Sequence, residues 1–182
     1  MGIIWTGLNE NPMIVRIVLS KPGLSAEDQV SRLYPNLHAV SCGEIDGIAT
    51  AIKGFLEGEE IEFSLDVADL SLCSQFQRLV LHAEHQIPRG SVSTYQFIAE
   101  YLRKRNGARA VGNALANNPF PLIVPCHRAV RSDRHLGGYQ GGIEMKRALL
   151  EKEGIAFDDA GRVANTRIHD FIMRGEYPKK VS

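Results

Sequence analysis

Cys126 and His127 stand side by side in a Pro-Cys-His-Arg run, and they are the residues of this chain best suited to covalent chemistry. A cysteine thiol with an ordinary pKa is mostly protonated at neutral pH, and the thiolate is the nucleophile. Such a cysteine therefore needs a base or a positive environment. Neighbouring residues of an extended chain point to opposite faces. His127 reaches the sulfur only if the chain turns after Pro125 or if a water bridges the two, and a carboxylate would orient the ring. Taken alone, the dipeptide is weak evidence, and a single cysteine is more often an inert buried residue.

The elements around this pair are legible. Pro119, Pro121 and Pro125 fix φ and remove donors, so the stretch ahead of Cys126 is neither helix nor central strand throughout. After it come a glycine-rich loop, Gly137-Gly138-Tyr139-Gln140-Gly141-Gly142, and a helix predicted from Ile143 to Glu153 with Gly154 as its C-cap. Upstream, Ser74 and Gln77 have capping-box spacing before a helix running to about His85. Ser93 or Thr94 caps the next helix, in which Phe97, Ile98, Tyr101 and Leu102 share a face and which Asn106-Gly107 ends. A second helix spans Ala108 to about Ala116, giving a helix-turn-helix pattern. Ala108, Ala110, Gly112 and Ala114 are small and Arg109 is its only long cation. Small residues of this kind either pack on the preceding helix or let the helix approach another backbone, such as DNA.

The first 70 residues read as a small sheet with a covering helix. Ile14 to Leu19 is a β-rich run; Ile45, Ile48, Ile52, Phe55 and Leu56 share a helical face; Ile61, Phe63, Leu65 and Val67 alternate with polar residues as in a half-buried strand. The change of pattern near 69–72 divides the chain into an α/β domain, 1–70, and a mainly helical domain, 71–182. The segment 155–182 reads as a short appendage without evident chemistry. Three cysteines without a CxxC pair argue against a disulfide framework or a cysteine-rich zinc site, so no metal is expected. No stretch approaches the ~20 apolar residues of a membrane span. No secretory signal opens the chain, and a cytoplasmic location is the default. The net charge of zero conceals an asymmetry: residues 1–70 carry 4 basic and 11 acidic groups, and residues 71–182 carry 17 and 10. A basic half of this kind suits a polyanionic partner.

The segments Arg109-Ala-Val-Gly-Asn-Ala-Leu-Ala-Asn-Asn118-Pro119, Pro125-Cys126-His127-Arg128 and Gly138-Tyr139-Gln140-Gly141-Gly142, in this order and spacing, resemble the 6-O-alkylguanine-DNA alkyltransferase family. The resemblance covers roughly Ser74 to Gly154. It implies an α/β fold with a ribonuclease-H-like first domain, and a stoichiometric transfer of an alkyl group from guanine oxygen-6, and less so thymine oxygen-4, to Cys126. It further implies that His127 takes the thiol proton through a water and that Glu153 orients His127. Tyr95 donates to the departing guanine and helps rotate the nucleotide, Arg109 fills the vacated place in the duplex, and Asn118 ties the helix-turn-helix to the active segment. Pro121, Tyr139 and Gln140 line the base pocket. The implied partner is double-stranded DNA carrying alkylated guanine, bound at the minor groove through Ala108, Arg109, Ala110, Gly112 and Tyr95 by a monomer that needs no cofactor.

Departures from the family pattern are Ala129 where valine is common, Arg134 where glycine is common, and Gln140 where a smaller residue is usual. The zinc site of some members has no counterpart around Cys42 and Cys73. Two other functions differ in kind: a non-reactive relative that flags damage, in which the acceptor cysteine is replaced, and a Cys-His hydrolase, for which the basic half would have no purpose.

Overall fold

The computed structural model describes residues 1–7, 11–164, 167–176 and 178. In the first half, β1 (Gly2–Thr6) and β2 (Met13–Val18) pair antiparallel, with a bulge between Ile4 and Trp5. The β-branched run beginning at Ile14 thus forms the expected strand, with Ile14 and Ile17 fully in the core. Helix α1 (Ala26–Leu33) starts at Ser25, whose hydroxyl accepts from the Asp28 amide. Helix α2 (Gly43–Glu57) buries Ile45, Ile52 and Phe55. It stops at Gly58, whose φ of 109° is left-handed and therefore suits glycine.

The predicted strand over 61–67 is not formed. Ile61, Phe63, Leu65 and Val67 are half-buried and Glu62, Ser64 and Asp66 exposed, so the alternation of burial is real. The backbone instead closes a 3-10 turn at Leu65–Val67, because the Ser64 side chain accepts from the Asp66 amide. Asp69 caps a second 3-10 turn, Leu70–Leu72, in the same way. Local side-chain capping wins here over a ladder, and pairing with β2 is limited to one parallel bridge between Ala68 and Ile14.

In the second half, α3 (Gln75–His85) begins at Ser74, which accepts from the Gln77 amide. Only this half of the capping box is made. The Gln77 side chain reaches across to the carbonyls of Ala114 and Asn117. A short strand β3 (Ser93–Thr94) leads into α4 (Tyr95–Tyr101), capped by Thr94. Helix α4 ends at Tyr101, earlier than expected, and a turn with left-handed Arg103 and Asn106 connects it to α5 (Ala108–Ala116). A β-carbon on Gly107 would stand 2.8 Å from the Lys104 carbonyl, so this glycine permits the tight entry into α5. After the proline-rich stretch, β4 (Ala129–Val130) pairs parallel with β3, and α6 (Ile143–Lys152) follows the glycine-rich loop. Glu153 is the C-cap of α6, and Gly154 follows with φ 79°.

One hydrophobic core runs through both halves, from Ile14, Ile52 and Phe55 to Val80, Ile98, Val111, Phe120 and Cys126. Polar ties reinforce it. The Ile17 amide donates to the Pro119 carbonyl at 2.8 Å. Arg89 donates to the carbonyls of Gly58, Glu59 and Lys152, and Lys152 returns a bond to the Leu56 carbonyl.

The C-terminal segment is more than an appendage. The Val92 amide donates to the Arg167 carbonyl, the His169 amide to the Val92 carbonyl, and the Ser93 hydroxyl to the His169 carbonyl. Phe171 is fully buried and stacks on Tyr101 with ring centroids 4.4 Å apart. The sequence showed only sparse apolar residues here, yet Phe171 fills a place under α4, and Ile155 and Val163 join Val92, Val130 and Leu150 in a second small core. Phe171→Ala should therefore cost roughly 3–5 kcal/mol of unfolding free energy in denaturant titration. A loss under about 1 kcal/mol would show that the segment only rests on the fold.

Candidate active site

Cys126 opens a 3-10 turn, Cys126–Arg128, that follows directly on Pro125. This is the sharp turn that an extended reading of the dipeptide lacks. Asn118 prepares it. Its side-chain oxygen accepts from the Phe120 amide at 2.9 Å and its side-chain nitrogen donates to the Val124 carbonyl at 3.2 Å. A buried asparagine thus pins both arms of the loop, and Leu122 at its apex is held at φ 78° although fully buried. Pro121 lies within this loop, bridged to Val124, behind the cleft wall rather than on it.

Behind the cysteine the side chains form a closed ion network. His127 is fully buried, and its Nε2 stands 2.9 Å from Glu153 Oε1. Arg128 donates through Nε and Nη2 to the same carboxylate and through Nη1 to the Ile87 carbonyl. Arg128 is therefore a structural tie that joins the reactive turn to Glu153 and to the Ile87 carbonyl. Burial alone would raise the Glu153 carboxyl, but bonds from His127 and Arg128 carry it down to about 2. Burial lowers the His127 pKa against the pull of Glu153, so the imidazole is neutral at neutral pH. An ionised carboxylate accepts from Nε2–H, which leaves Nδ1 as the ring's acceptor; that nitrogen is buried without a protein partner among the described residues. Phe55 of α2 packs edge-on against the ring at 5.9 Å, a contribution of the first half that no sequence pattern announces.

The thiol itself is not activated at rest. Burial pushes Cys126 up to about 11, while the Asn118 side chain beside the sulfur pulls the other way. Cys126 lies against a cleft of about 1180 Å³. Tyr95, Tyr139 and Gln140 line it together with Ala108, Arg109 and Gly112 of α5, and Lys21 and Pro22 of the first half stand on its rim. A β-carbon on Gly137 would lie 2.2 Å from the Tyr95 hydroxyl, so this glycine makes room for the phenol. The Tyr139 hydroxyl is buried without a hydrogen-bond partner among the described residues. Gln140 is pinned by its amide to the Asn118 carbonyl at 2.5 Å, which draws its bulk toward the end of α5.

On α5, Arg109 and Ala110 are exposed and Val111 and Leu115 are buried. A β-carbon on Gly112 would meet open space, so internal packing does not require glycine there. Ala114 packs on the core, which is the bland use of a small residue, and Ala110 stands outside the cleft. The turn ahead of α5 adds three exposed cations, Arg103, Lys104 and Arg105. Two further buried charges escaped the sequence reading. Lys146 of α6 donates to the Ala129 carbonyl at 2.6 Å, and Glu84 of α3 is fully buried. Helical periodicity marks both only as polar residues on largely apolar faces. Among the described residues no group of three or more His, Cys, Asp or Glu is placed to hold a metal, and no helix is long and apolar enough to cross a membrane.

Because the folded-state pKa of Glu153 is depressed, its stabilising contribution is present above the unfolded carboxyl value and is lost as pH falls toward 2. Wild type should lose roughly 3 kcal/mol from this group between about pH 5 and pH 2. In Glu153→Gln the acid limb of a stability-versus-pH curve should be shallower by that amount. Parallel curves would show that the carboxylate is not held by the ion network.

Comparison with known proteins places this geometry. The profile of the 6-O-methylguanine DNA methyltransferase DNA binding domain matches residues 75–155. A methylated-DNA–protein-cysteine methyltransferase of Methanothermobacter thermautotrophicus is 45% identical over 114 residues, which cover 63% of this chain and 64% of the relative. One from Pyrobaculum aerophilum is 49% identical over 87 residues, covering 47% and 57%. The chain thus spans less than two thirds of the length of these relatives. Among solved structures, the O6-methylguanine methyltransferase of Mycobacterium tuberculosis is 34% identical, with 83% of this chain and 90% of that one covered and a TM-score of 0.59. The structure of Mycobacterium tuberculosis OGT in complex with DNA is 41% identical over 59% of this chain and 66% of that one, with a TM-score of 0.55. With a relative this similar over nine tenths of its length, the chain belongs to the methylated-DNA–protein-cysteine methyltransferase family.

Proposed function

We propose that this chain repairs DNA by taking an alkyl group from oxygen-6 of guanine onto Cys126, once per molecule. The observation that carries the reading is the placement of Cys126 against a cleft bounded by the exposed face of α5 and backed by the buried His127–Glu153 pair. The DNA complex of the Mycobacterium tuberculosis relative supports DNA as the partner.

In this reading α5 lies against the minor groove. Ala108, Ala110 and Gly112 admit the backbone closely, and Arg103, Lys104 and Arg105 meet phosphates. The alkylated guanine leaves the stack at a cost of a few kcal/mol, less for a poorly paired base. Arg109 occupies the gap, and the flipped base enters between Tyr95 and Tyr139. The thiol proton passes through a water to Nδ1 of His127, whose charge Glu153 stabilises. Sγ attacks the alkyl carbon; the carbon–oxygen bond breaks, and its electron pair stays on guanine. Tyr95 supplies a hydrogen bond to the departing base, which keeps the electron pair and takes its proton from solvent once released. The thioether has no hydrolytic way back. Substrate binding lowers the barrier because it excludes water from a site in which the acceptor ring and the leaving-group donor are already oriented. The chain acts as a monomer without cofactor, and Gln140, drawn toward α5, sets the width available to the alkyl group.

Incubation with a duplex carrying radiolabelled 6-O-methylguanine should move one label per protein. The transfer should vanish in Cys126→Ala with DNA binding retained. Binding without transfer by wild type would indicate a damage-flagging protein, and repeated turnover would exclude a consumed thiol. Arg109→Ala should slow duplex repair by roughly tenfold or more, about 1.4 kcal/mol of transition-state stabilisation, while reaction with free 6-O-benzylguanine stays near wild type. Equal losses on both substrates would reject the gap-filling role.

A further inference from the structure

Two fully buried ionisable groups near the reactive cysteine, Glu84 and Lys146, are left unused by the proposed chemistry. Glu84 sits on α3 with no exposure to solvent, and no side chain among the described residues donates to its carboxyl oxygens; the Ala129 backbone amide is the donor beside them. A carboxyl buried in this way is rare, because removing it from water without compensation costs several kcal/mol if it is charged. Its surroundings are electrically crowded. Lys146 faces it from α6, Cys126 and Arg128 from the 3-10 turn, and Tyr95 from α4. Helix α5, which also packs on α3, carries one ionisable side chain, Arg109, and that one is exposed. On its own helix, His85 is engaged by the Phe63 carbonyl, and His82 is not among the charges acting on Glu84.

Resting on the reading of Cys126 as the alkyl acceptor, we propose that Glu84 is a positioning residue that gates thiolate formation at Cys126: protonated, it leaves the Lys146 ammonium free to favour the thiolate, and ionised, it cancels Lys146 and holds the sulfur in its unreactive form. The geometry makes this possible because Lys146 is itself fully buried and fixed by the Ala129 carbonyl, three residues beyond Cys126, so neither charge is screened by water. The signs follow. Burial lifts the Glu84 carboxyl to about 8, against the pull of Lys146 and Arg128, so it is neutral below that pH and ionised above it. Burial brings the Lys146 ammonium down to about 8, against the pull of Cys126 and Glu84. At the sulfur, ionised Glu84 opposes the thiolate more strongly than Lys146 favours it. With an uncharged residue at position 84, Cys126 therefore reacts at least as fast as in wild type at every pH, and the advantage grows as pH rises through the range in which Glu84 ionises.

The test is the rate at which iodoacetamide alkylates Cys126, followed by mass analysis of the Cys126 peptide, in wild type, Glu84→Gln and Glu84→Asp. This readout needs neither DNA nor alkylguanine, so it stands apart from the repair reading. The ratio of the Glu84→Gln rate to wild type should rise at least about threefold from pH 6.5 to pH 9.5, whereas Glu84→Asp, which still ionises, should follow wild type. Glu84→Leu provides a second uncharged variant with the same expected profile should the Gln variant fold poorly. A ratio independent of pH would make Glu84 merely structural, and a ratio that falls with pH would show that Glu84 sustains Lys146 instead; either result overturns the proposal. A parallel profile with 6-O-benzylguanine tests whether the same gate acts on alkyl transfer. Its failure while the iodoacetamide result holds would count against the repair reading and not against Glu84.

Discussion

The carboxylate of Glu153 is buried, and its two oxygens receive His127 Nε2 and two donors of Arg128. A charge in that position is tolerable only because it is paired and hydrogen-bonded on every side. In return it fixes the His127 tautomer, and with it which ring nitrogen is left to accept a proton. It also anchors Arg128, which holds the Ile87 carbonyl beyond the end of α3. The end of α6, the reactive turn and the end of α3 are thus joined through one side chain. Removing it would leave two buried cationic or polar groups without a partner, so the network is the scaffold of the site and, in the proposed mechanism, its proton acceptor.

Around this anchor the site is an exercise in placing reactive groups without activating them. Cys126 rests with its thiol well above the usual range, Tyr95 and Tyr139 are likewise raised by burial, and His127 is held neutral. Such a centre is stable toward solvent and adventitious electrophiles. In the proposed reaction it becomes reactive when a substrate supplies the electrophilic carbon and excludes the remaining water. If the thiol is spent in a single reaction, as proposed, low resting reactivity prevents waste. The Asn118 bridge and the left-handed Leu122 serve the same end by making the loop rigid before any substrate arrives.

Much of this was legible in the sequence, and the residues show why. Hydrophobic periodicity and capping signals located α2, α3, α5 and α6 because Gly58, Ser74 and Gly107 act through local geometry alone. The Cys126-His127 pair and its glycine and proline neighbours are contiguous, so their motif carries the site. The failures have a common cause. The 61–67 alternation predicted a strand, but strand formation depends on a partner edge that lies outside the segment. The burial of Phe171 and His169 depends on α4, and that of Glu84 and Lys146 depends on α3 and α6 each packing on the Cys126–Arg128 turn. The pairing of Phe55 with His127 likewise crosses from one half of the chain to the other. Contacts between distant segments leave no mark in a single sequence unless a motif records them.

The most direct check of this account is the protonation and tautomer of the His127 ring, read by nitrogen NMR of the selectively labelled histidine in the resting protein. The Glu153 anchor predicts a neutral imidazole at pH 7 that carries its proton on Nε2 and leaves Nδ1 unprotonated. An imidazolium at that pH, or a proton resident on Nδ1, would contradict it, because the ring could then accept nothing from Cys126.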